Sequence, residues 1–310
     1  FTEGSFAYTV SQSTDVPTGE GFTTSLKVDV TTAAGSPSAG DQTELQTNLE
    51  GQMLQHLKKG TSNAEKVTVS FYVKCTATGN LQLNLRDLDN ARMIGSTFTI
   101  NSSDTWEKKE IVFAGDTSGA FDNDNAGSLR VSIMLGSGST YTGGAVPTAW
   151  EAYSNGDKNA GDTLNFSNST SNDFLITGFQ LEVGDQATDF EHLPRDIQLQ
   201  RCMRYCQKFS FDTQSGMMNV GRTLSSSRVD SFFAHQVPTR AAIDAISDSL
   251  TVSTYYYDGG TYSSLTQNGT SLAHNDLNCF AVRKTFTDSI TADKFVSAQF
   301  GGTLIATCEL

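Results

Sequence analysis

The chain has 310 residues, of which 37% are hydrophobic and 18% are charged, and its net charge is −13. This length accommodates two compact domains with a core each, while the acidic balance argues against nucleic acid as a partner because it repels phosphate backbones. No apolar run approaches the roughly 18 residues of a membrane span, and the sequence lacks a signal-peptide pattern, so we expect no membrane insertion.

The first predicted element is a helix over residues 43–57, where Leu45, Leu49 and Leu57 lie close to one face at helical spacing before Gly60. Residues 66–74 then alternate strictly between apolar and polar side chains, which predicts a half-buried strand. The same alternation occurs in residues 81–85, 94–100, 129–135 and 175–183. Many antiparallel strands with one solvent-exposed face predict a β-sandwich.

Residues 136–172 form a long segment rich in Gly, Ser, Thr and Asn. Unstructured connections beyond roughly 12 to 15 residues are uncommon in compact domains and are often binding loops. Tyr141, Trp150 and Tyr153 are therefore candidate ligand-binding residues, because a loop can present their ring faces to a sugar. The alternative is that these rings anchor the loop to the domain or pack against a neighbouring subunit.

Gln180 and Glu182 lie on the strand face opposite Leu181 and Val183, where they could hydrogen-bond sugar hydroxyl groups. The alternative is that the two side chains are exposed or hold neighbouring backbone in place. We favour this alternative because polar residues are mostly exposed.

A connecting helix is predicted over residues 191–209, starting near Pro194, with Leu199, Cys202, Met203, Cys206 and Phe209 on one stripe. Short strands then resume, separated by turns such as those at residues 215–216 and 258–260. We therefore predict a mainly β chain: an antiparallel sandwich domain over residues 1–190, the helix, and a second, smaller β domain over residues 210–310.

Residues 174–209 contain three short motifs in a distinctive order. A strand reads QLEVG from Gln180, an AT-x-F-E turn starts at Ala187, and a C-x-R-Y-x-Q-K run starts at Cys202. This segment resembles one found in bacteriophage tail-fibre and related virion structural proteins with a carbohydrate-binding-module-like jelly roll. Residues 49–85, with a Glu-Gly segment and a T-x-S-F-x-V-K strand, and residues 106–119, with a G-D-T-x-G turn, resemble earlier parts of that family in the same order.

The resemblance implies a virion protein that is assembled in the bacterial cytoplasm and contacts other virion proteins and a host-surface glycan. It also implies that the second β domain associates with itself as a homotrimer. The chain starts at Phe1 without an initiator Met and without the upstream strand that the resemblance implies, so we expect a fragment of a longer protein.

Catalytic signatures are missing from the sequence. It contains no G-x-S-x-G elbow, Walker loop or H-E-x-x-H, and its four histidines lie far apart. Five scattered cysteines fit a reducing compartment, and Cys202 and Cys206 lack further ligands for a metal. We therefore expect no enzymatic activity, no cofactor and no metal site.

Calcium is left open as a structural ion without an assignable site. Asp122, Asp124 and Asn125 resemble the start of a calcium loop, but Ile133 stands where an EF-hand has its closing Glu.

The leading hypothesis is a tail fibre or related appendage that contacts the host surface without catalysis. One alternative is a capsid decoration or baseplate subunit whose contacts are made with proteins alone. The other is a carbohydrate-binding module of a secreted polysaccharide-degrading enzyme.

Overall fold

A computed structural model of the protein describes residues 2–211, 217–225, 227–249, 251–257, 260–263, 267–275, 279–287 and 295–308. The chain divides into two units, Phe1–Glu191 and His192–Glu309. Both are built almost entirely of antiparallel strands, which confirms the predicted mainly β fold class, a sandwich followed by a smaller β domain.

The first unit contains eleven strands, several of them in the segments predicted from alternation. The strands are β1 (Thr2–Glu3), β2 (Ala7–Ser13), β3 (Ser25–Thr32), β4 (Gln42–Glu50), β5 (Val67–Cys75), β6 (Gly79–Asp87), β7 (Arg92–Ile100), β8 (Glu107–Phe113), β9 (Gly127–Ser137), β10 (Glu151–Ala152) and β11 (Asp173–Val183). They form a six-stranded sheet in the order β1-β4-β9-β6-β7-β10 and a five-stranded sheet in the order β2-β3-β11-β5-β8.

The core lies between these two sheets. Phe71 on β5 of the five-stranded sheet is fully buried and meets Phe98 on β7 of the six-stranded sheet edge to face, with ring centroids 5.2 Å apart. Each large apolar side chain buried in this way contributes about 1.5–3 kcal/mol. Because neighbouring side chains in a strand alternate, the polar residues of β4, β6 and β9 are directed to the outer face of the six-stranded sheet.

The helix predicted over residues 43–57 is wrong. β4 occupies Gln42–Glu50, and two short 3₁₀ turns follow at Gly51–Met53 and Gln55–Leu57. The four-residue spacing of Leu45 and Leu49 fits a strand as well as a helix, and pairing of β4 with β9 along its whole length decides between them.

The second unit begins with the single α-helix of the described residues, α1 (Arg195–Met203), followed by nine strands. The strands are β12 (Cys206–Phe211), β13 (Met217–Ser225), β14 (Arg228–Ala234), β15 (Ala245–Asp248), β16 (Thr251–Tyr257), β17 (Gly260–Ser263), β18 (Gln267–Asn275), β19 (Cys279–Phe286) and β20 (Phe295–Thr307). Seven follow the order β17-β16-β20-β13-β14-β19-β18, while β12 and β15 also pair with β20. The turns predicted at residues 215–216 and 258–259 lie outside the described residues.

The long strand β20 organises this unit. Its first half pairs with β13 and β16, and its second half pairs with β12 and β15. Phe233 on β14 and Phe280 on β19 stack in the core with centroids 5.3 Å apart, and Phe209 packs against both rings.

The predicted helix over residues 191–209 is too long. It ends at Met203, and Cys206 and Phe209 belong to β12. None of the nine residues of α1 is buried, so no apolar stripe stabilises a longer helix, and a helix this short is marginal without packing. Strand pairing with β20 instead buries Gln207 and places Phe209 against the core.

Candidate functional site

The segment over residues 136–172 is ordered by buried side chains of β6. Gln82 donates its side-chain amide to the Asp157 carbonyl oxygen at 2.7 Å and accepts from the Gly161 amide at 3.0 Å. Asn84 donates to the Lys158 carbonyl oxygen at 2.8 Å. These amides lie on the outer face of the six-stranded sheet, so the segment is held against that face by hydrogen bonds that no water competes for.

A polar cavity of about 290 Å³ lies beneath this segment. The side chains that line it carry hydroxyl, amide and carboxyl groups and an aromatic ring. They include Ser137, Thr142, Asp162, Asn165, Asn168 and Phe6. Small-molecule sites combine a concave shape with a few placed polar groups, and hydroxyl-rich ligands match donors and acceptors of this kind.

Asp162 is held in place at the cavity by its neighbours. Its carboxyl group accepts hydrogen bonds from the Leu164 amide at 2.9 Å, the Asn165 amide at 3.2 Å and the Asn159 side-chain amide at 3.1 Å. Burial raises the pKa of Asp162 above its ordinary value, and these hydrogen bonds offset part of that rise.

The three aromatic residues predicted to bind a ligand each contact a cation. Tyr141 is buried beneath the Lys158 ammonium group, which lies 4.9 Å from the ring centroid. Tyr153 stacks against the Arg86 guanidinium group, with 3.6 Å between the Arg86 Cζ atom and the ring centroid. These contacts fasten the segment to the sheet, which is the anchoring alternative, while ligand binding by these residues stays a prediction.

Trp150 anchors a different part of the segment. Its Nε1 donates to the Ala114 carbonyl oxygen at 2.7 Å, and the Lys59 ammonium group lies 5.5 Å from its ring. It also packs against the core of the first unit.

Two arginines, Arg86 on β6 and Arg130 on β9, are directly paired across the outer face of the six-stranded sheet. We call them the arginine pair. Burial raises the pKa of the Tyr153 hydroxyl group, and the charges of the two arginines oppose that rise. Ligand-motif searches miss this pair because the two residues are 44 positions apart, although each occupies an outward position of an alternating strand.

Gln180 and Glu182 hold neighbouring backbone in place. Glu182 accepts from the Thr188 amide at 2.9 Å and from the Thr188 hydroxyl at 2.7 Å, and Gln180 accepts from the Glu191 amide at 3.0 Å. Burial acts to raise the pKa of Glu182, but these hydrogen bonds and that from Gln180 outweigh it and lower the pKa. These contacts give a physical reason for the QLEVG and AT-x-F-E spacing, and they occur on the five-stranded sheet, away from the segment's aromatic residues.

A buried charge network surrounds the G-D-T-x-G turn. The Lys59 ammonium group lies 2.5 Å from an Asp87 carboxylate oxygen and 3.1 Å from one of Asp116, and all three side chains are less than 5% exposed. Arg92 binds Asp116 through two nitrogens, at 2.7 and 3.1 Å. Burial opposes ionisation of Asp116, yet the Arg92 hydrogen bond and those from Ser118 and Lys59 lower its pKa.

The described residues contain no group of three His, Cys, Asp or Glu side chains that could hold a metal ion. The calcium-like turn uses its oxygens internally, since the Asp124 carboxylate accepts from the Ala126 amide at 2.9 Å and the Asp124 carbonyl accepts from the Gln52 amide at 2.8 Å. A structural calcium ion stays a prediction without an assigned site. Across the described residues, no helix is long and apolar enough to cross a membrane.

Comparison with known proteins finds distant likeness to solved structures alone. No family model and no curated protein matches the chain. Among solved structures, it is similar to the enzymatically active domain of tailspike protein 4 from bacteriophage CBA120, at 12% identity and a TM-score of 0.31. The match covers 59% of this chain and 19% of that chain, so this chain spans about a fifth of the solved one.

The prediction of a protein without enzymatic activity is wrong on this comparison, because the similar structure is an enzymatically active domain. Missing sequence motifs were a weak basis for that prediction, since residues far apart in a chain can converge on a reaction site and one fold can host many chemistries.

Proposed function

We propose that the protein is a component of a bacteriophage particle, a tail fibre or related appendage, and that its first unit contacts saccharides of the host surface. The polar cavity beneath residues 136–172 is the observation that carries this proposal. Its hydroxyl, amide and carboxyl groups complement sugar hydroxyls, and Phe6 supplies an apolar wall for the carbon face of a sugar ring.

The resemblance of residues 174–209 to virion structural proteins supports the assignment to a phage particle. Self-association through the second unit, as a homotrimer, belongs to the same proposal. Linked copies of a weak site gain about 10² to 10⁴ in avidity when their geometry permits simultaneous binding. An appendage of this kind binds a repetitive cell-surface polymer without requiring a tight individual site.

Two measurements test the proposal. Mass spectrometry of purified virions is expected to identify peptides of this chain. An array of host-surface polysaccharides is expected to bind the whole purified chain, and a double variant, Thr142→Ala with Asn168→Ala, is expected to lose most of that binding because both residues line the cavity. Asn63→Ala is the matched control, since Asn63 is exposed and lies outside the cavity lining.

Absence of the chain from virions would contradict the assignment to a phage particle. Presence in virions without saccharide binding by the assembled oligomer would contradict the proposed contact and favour a decoration or baseplate subunit. Release of reducing ends from a bound polysaccharide would add a catalytic step to the same site.

A further inference from the structure

The arginine pair concentrates positive charge on one spot of an acidic protein. Arg86 and Arg130 are direct neighbours across β6 and β9, and like charges placed directly opposite each other destabilise a sheet. Within the described residues, neither guanidinium group forms an ion pair. Such an uncompensated pair is a candidate for recognising an anion.

The hydrogen bonds of the two side chains leave most of their donors unused. Arg130 donates through Nε to the Asn48 side-chain oxygen at 3.0 Å. The Arg86 side chain makes no hydrogen bond to a described residue, and its Nε is buried without a partner. The stacked ring of Tyr153 fixes the plane of the Arg86 guanidinium group. A fixed planar fork matches a carboxylate, which accepts two parallel hydrogen bonds.

The groups around the arginine pair include neutral amide side chains. Gln46 lies two residues from Asn48 on the same face of β4, and its Oε1 is buried without a hydrogen-bond partner. The nearby carboxylate of Glu44 is bound to the Lys158 ammonium group, so it does not neutralise the arginine pair. The site therefore combines paired cationic donors with neutral amide groups.

We infer that the arginine pair binds the carboxylate of an acidic sugar, a uronic acid. This inference rests on the proposed contact with host saccharides and names the saccharide class. A carboxylate carries one negative charge, whereas phosphate carries up to two. The chain's net charge of −13 disfavours the more highly charged ligand, because the field of the whole protein repels it.

Saturation-transfer NMR on the whole chain tests the inference with three probes: methyl glucuronide, methyl glucoside and glucose 6-phosphate. The glucuronide is expected to bind about tenfold tighter than the glucoside, the difference made by a charge-assisted hydrogen bond. Arg130→Gln is expected to remove that preference. Arg86→Lys is expected to weaken it, since lysine keeps the charge but loses the fork.

Lys66→Gln is the control, because it removes an equal charge from an exposed position of the first unit. Arg130→Gln is expected to unfold at the same or a higher temperature than the wild type, since it removes repulsion between like charges, so its loss of binding cannot come from unfolding.

Equal binding of glucuronide and glucoside, or unchanged glucuronide binding by Arg130→Gln, overturns the inference. Tighter binding of glucose 6-phosphate overturns the choice of a carboxylate. If polysaccharide binding is lost in the Thr142 and Asn168 double variant but not in the arginine variants, the proposed function is supported and this inference is wrong. Failure of the wild type to bind any saccharide removes both.

Discussion

Replacement of Lys59 by Met removes the central cation of the buried charge network. The Lys59 ammonium group contacts Asp87 and Asp116 and also donates to the carbonyl oxygens of Ser118 and Gly119, at 2.9 and 2.6 Å. Methionine fills similar space but leaves the Asp87 carboxylate, which is 0% exposed, without a cation. Breaking a buried ion pair by removing one partner costs about 3–5 kcal/mol.

We therefore expect Lys59→Met to lower the free energy of unfolding of the first unit by about 3–5 kcal/mol. For a unit of this size, that loss lowers the melting temperature by roughly 10 °C. Urea unfolding followed by tryptophan fluorescence measures it, because both tryptophans, Trp106 and Trp150, belong to the first unit. Circular dichroism gives a second probe that does not depend on the contact between Lys59 and Trp150.

The double variant Lys59→Met with Asp87→Asn separates charge from packing. If the cost comes from an uncompensated carboxylate, the double variant is expected to be more stable than Lys59→Met alone. Lys66→Met is the control, because its ion pair with Asp185 is solvent-exposed and is expected to change stability by less than about 1 kcal/mol. A Lys59→Met protein as stable as the wild type, or a double variant that recovers nothing, would refute this reasoning.

Three further predictions concern other parts of the first unit. Glu182→Gln is expected to lose about 1 kcal/mol at pH 7, because a charged acceptor of the Thr188 hydrogen bonds is replaced by a neutral one. Folding lowers the pKa of Glu182, so the stability that its carboxylate contributes is present above the ordinary glutamate pKa and is lost as pH falls through the folded pKa. If the free energy of unfolding of the variant and of the wild type changes equally with pH between those two pKa values, this prediction is contradicted. Gly51→Ala is expected to cost about 1–3 kcal/mol in urea unfolding, because a Cβ there would lie 2.0 Å from a backbone oxygen, whereas Gly40→Ala, with no atom within 4 Å, is expected to be tolerated. The Cys75 thiol, buried and with its pKa raised by that burial to about 11, is expected to resist a disulfide reagent at pH 8 until the protein is unfolded, and rapid labelling of the native protein at Cys75 would argue against the fold.

The alternation of apolar and polar residues correctly predicted several strands of the sandwich. The pattern of residues 66–74 corresponds to β5, and that of residues 175–183 lies within β11, because one face of each strand must be apolar to meet the core. The pattern failed for residues 43–57, where a leucine spacing of four fits two periods and only long-range pairing with β9 selects the strand. No strand was predicted for β2 or β3, although Leu26, Val28 and Val30 of β3 alternate with polar residues and the two valines are buried in the core.

The site was predictable in part. Composition and length singled out residues 136–172, and the structure places the polar cavity beneath that segment. Tyr153 contacts Arg86 of β6, a residue distant in the chain, so no local pattern encodes that contact. The resemblance singled out Asp116 and Glu182 by motif alone, and the structure gives both a stabilising contact within the first unit.

The position of β20 sets an order of events during synthesis. It is the common partner of β12, β13, β15 and β16, and all four leave the ribosome before it does. Until β20 is translated, β12 and β15 have no partner strand among the described residues, and β13 and β16 each have only one, β14 and β17. Their unpaired edges can associate with other nascent chains. Neighbouring ribosomes on one mRNA bring such strand edges close together. Strands of the second unit are therefore most able to pair with those of another nascent chain before β20 is synthesised.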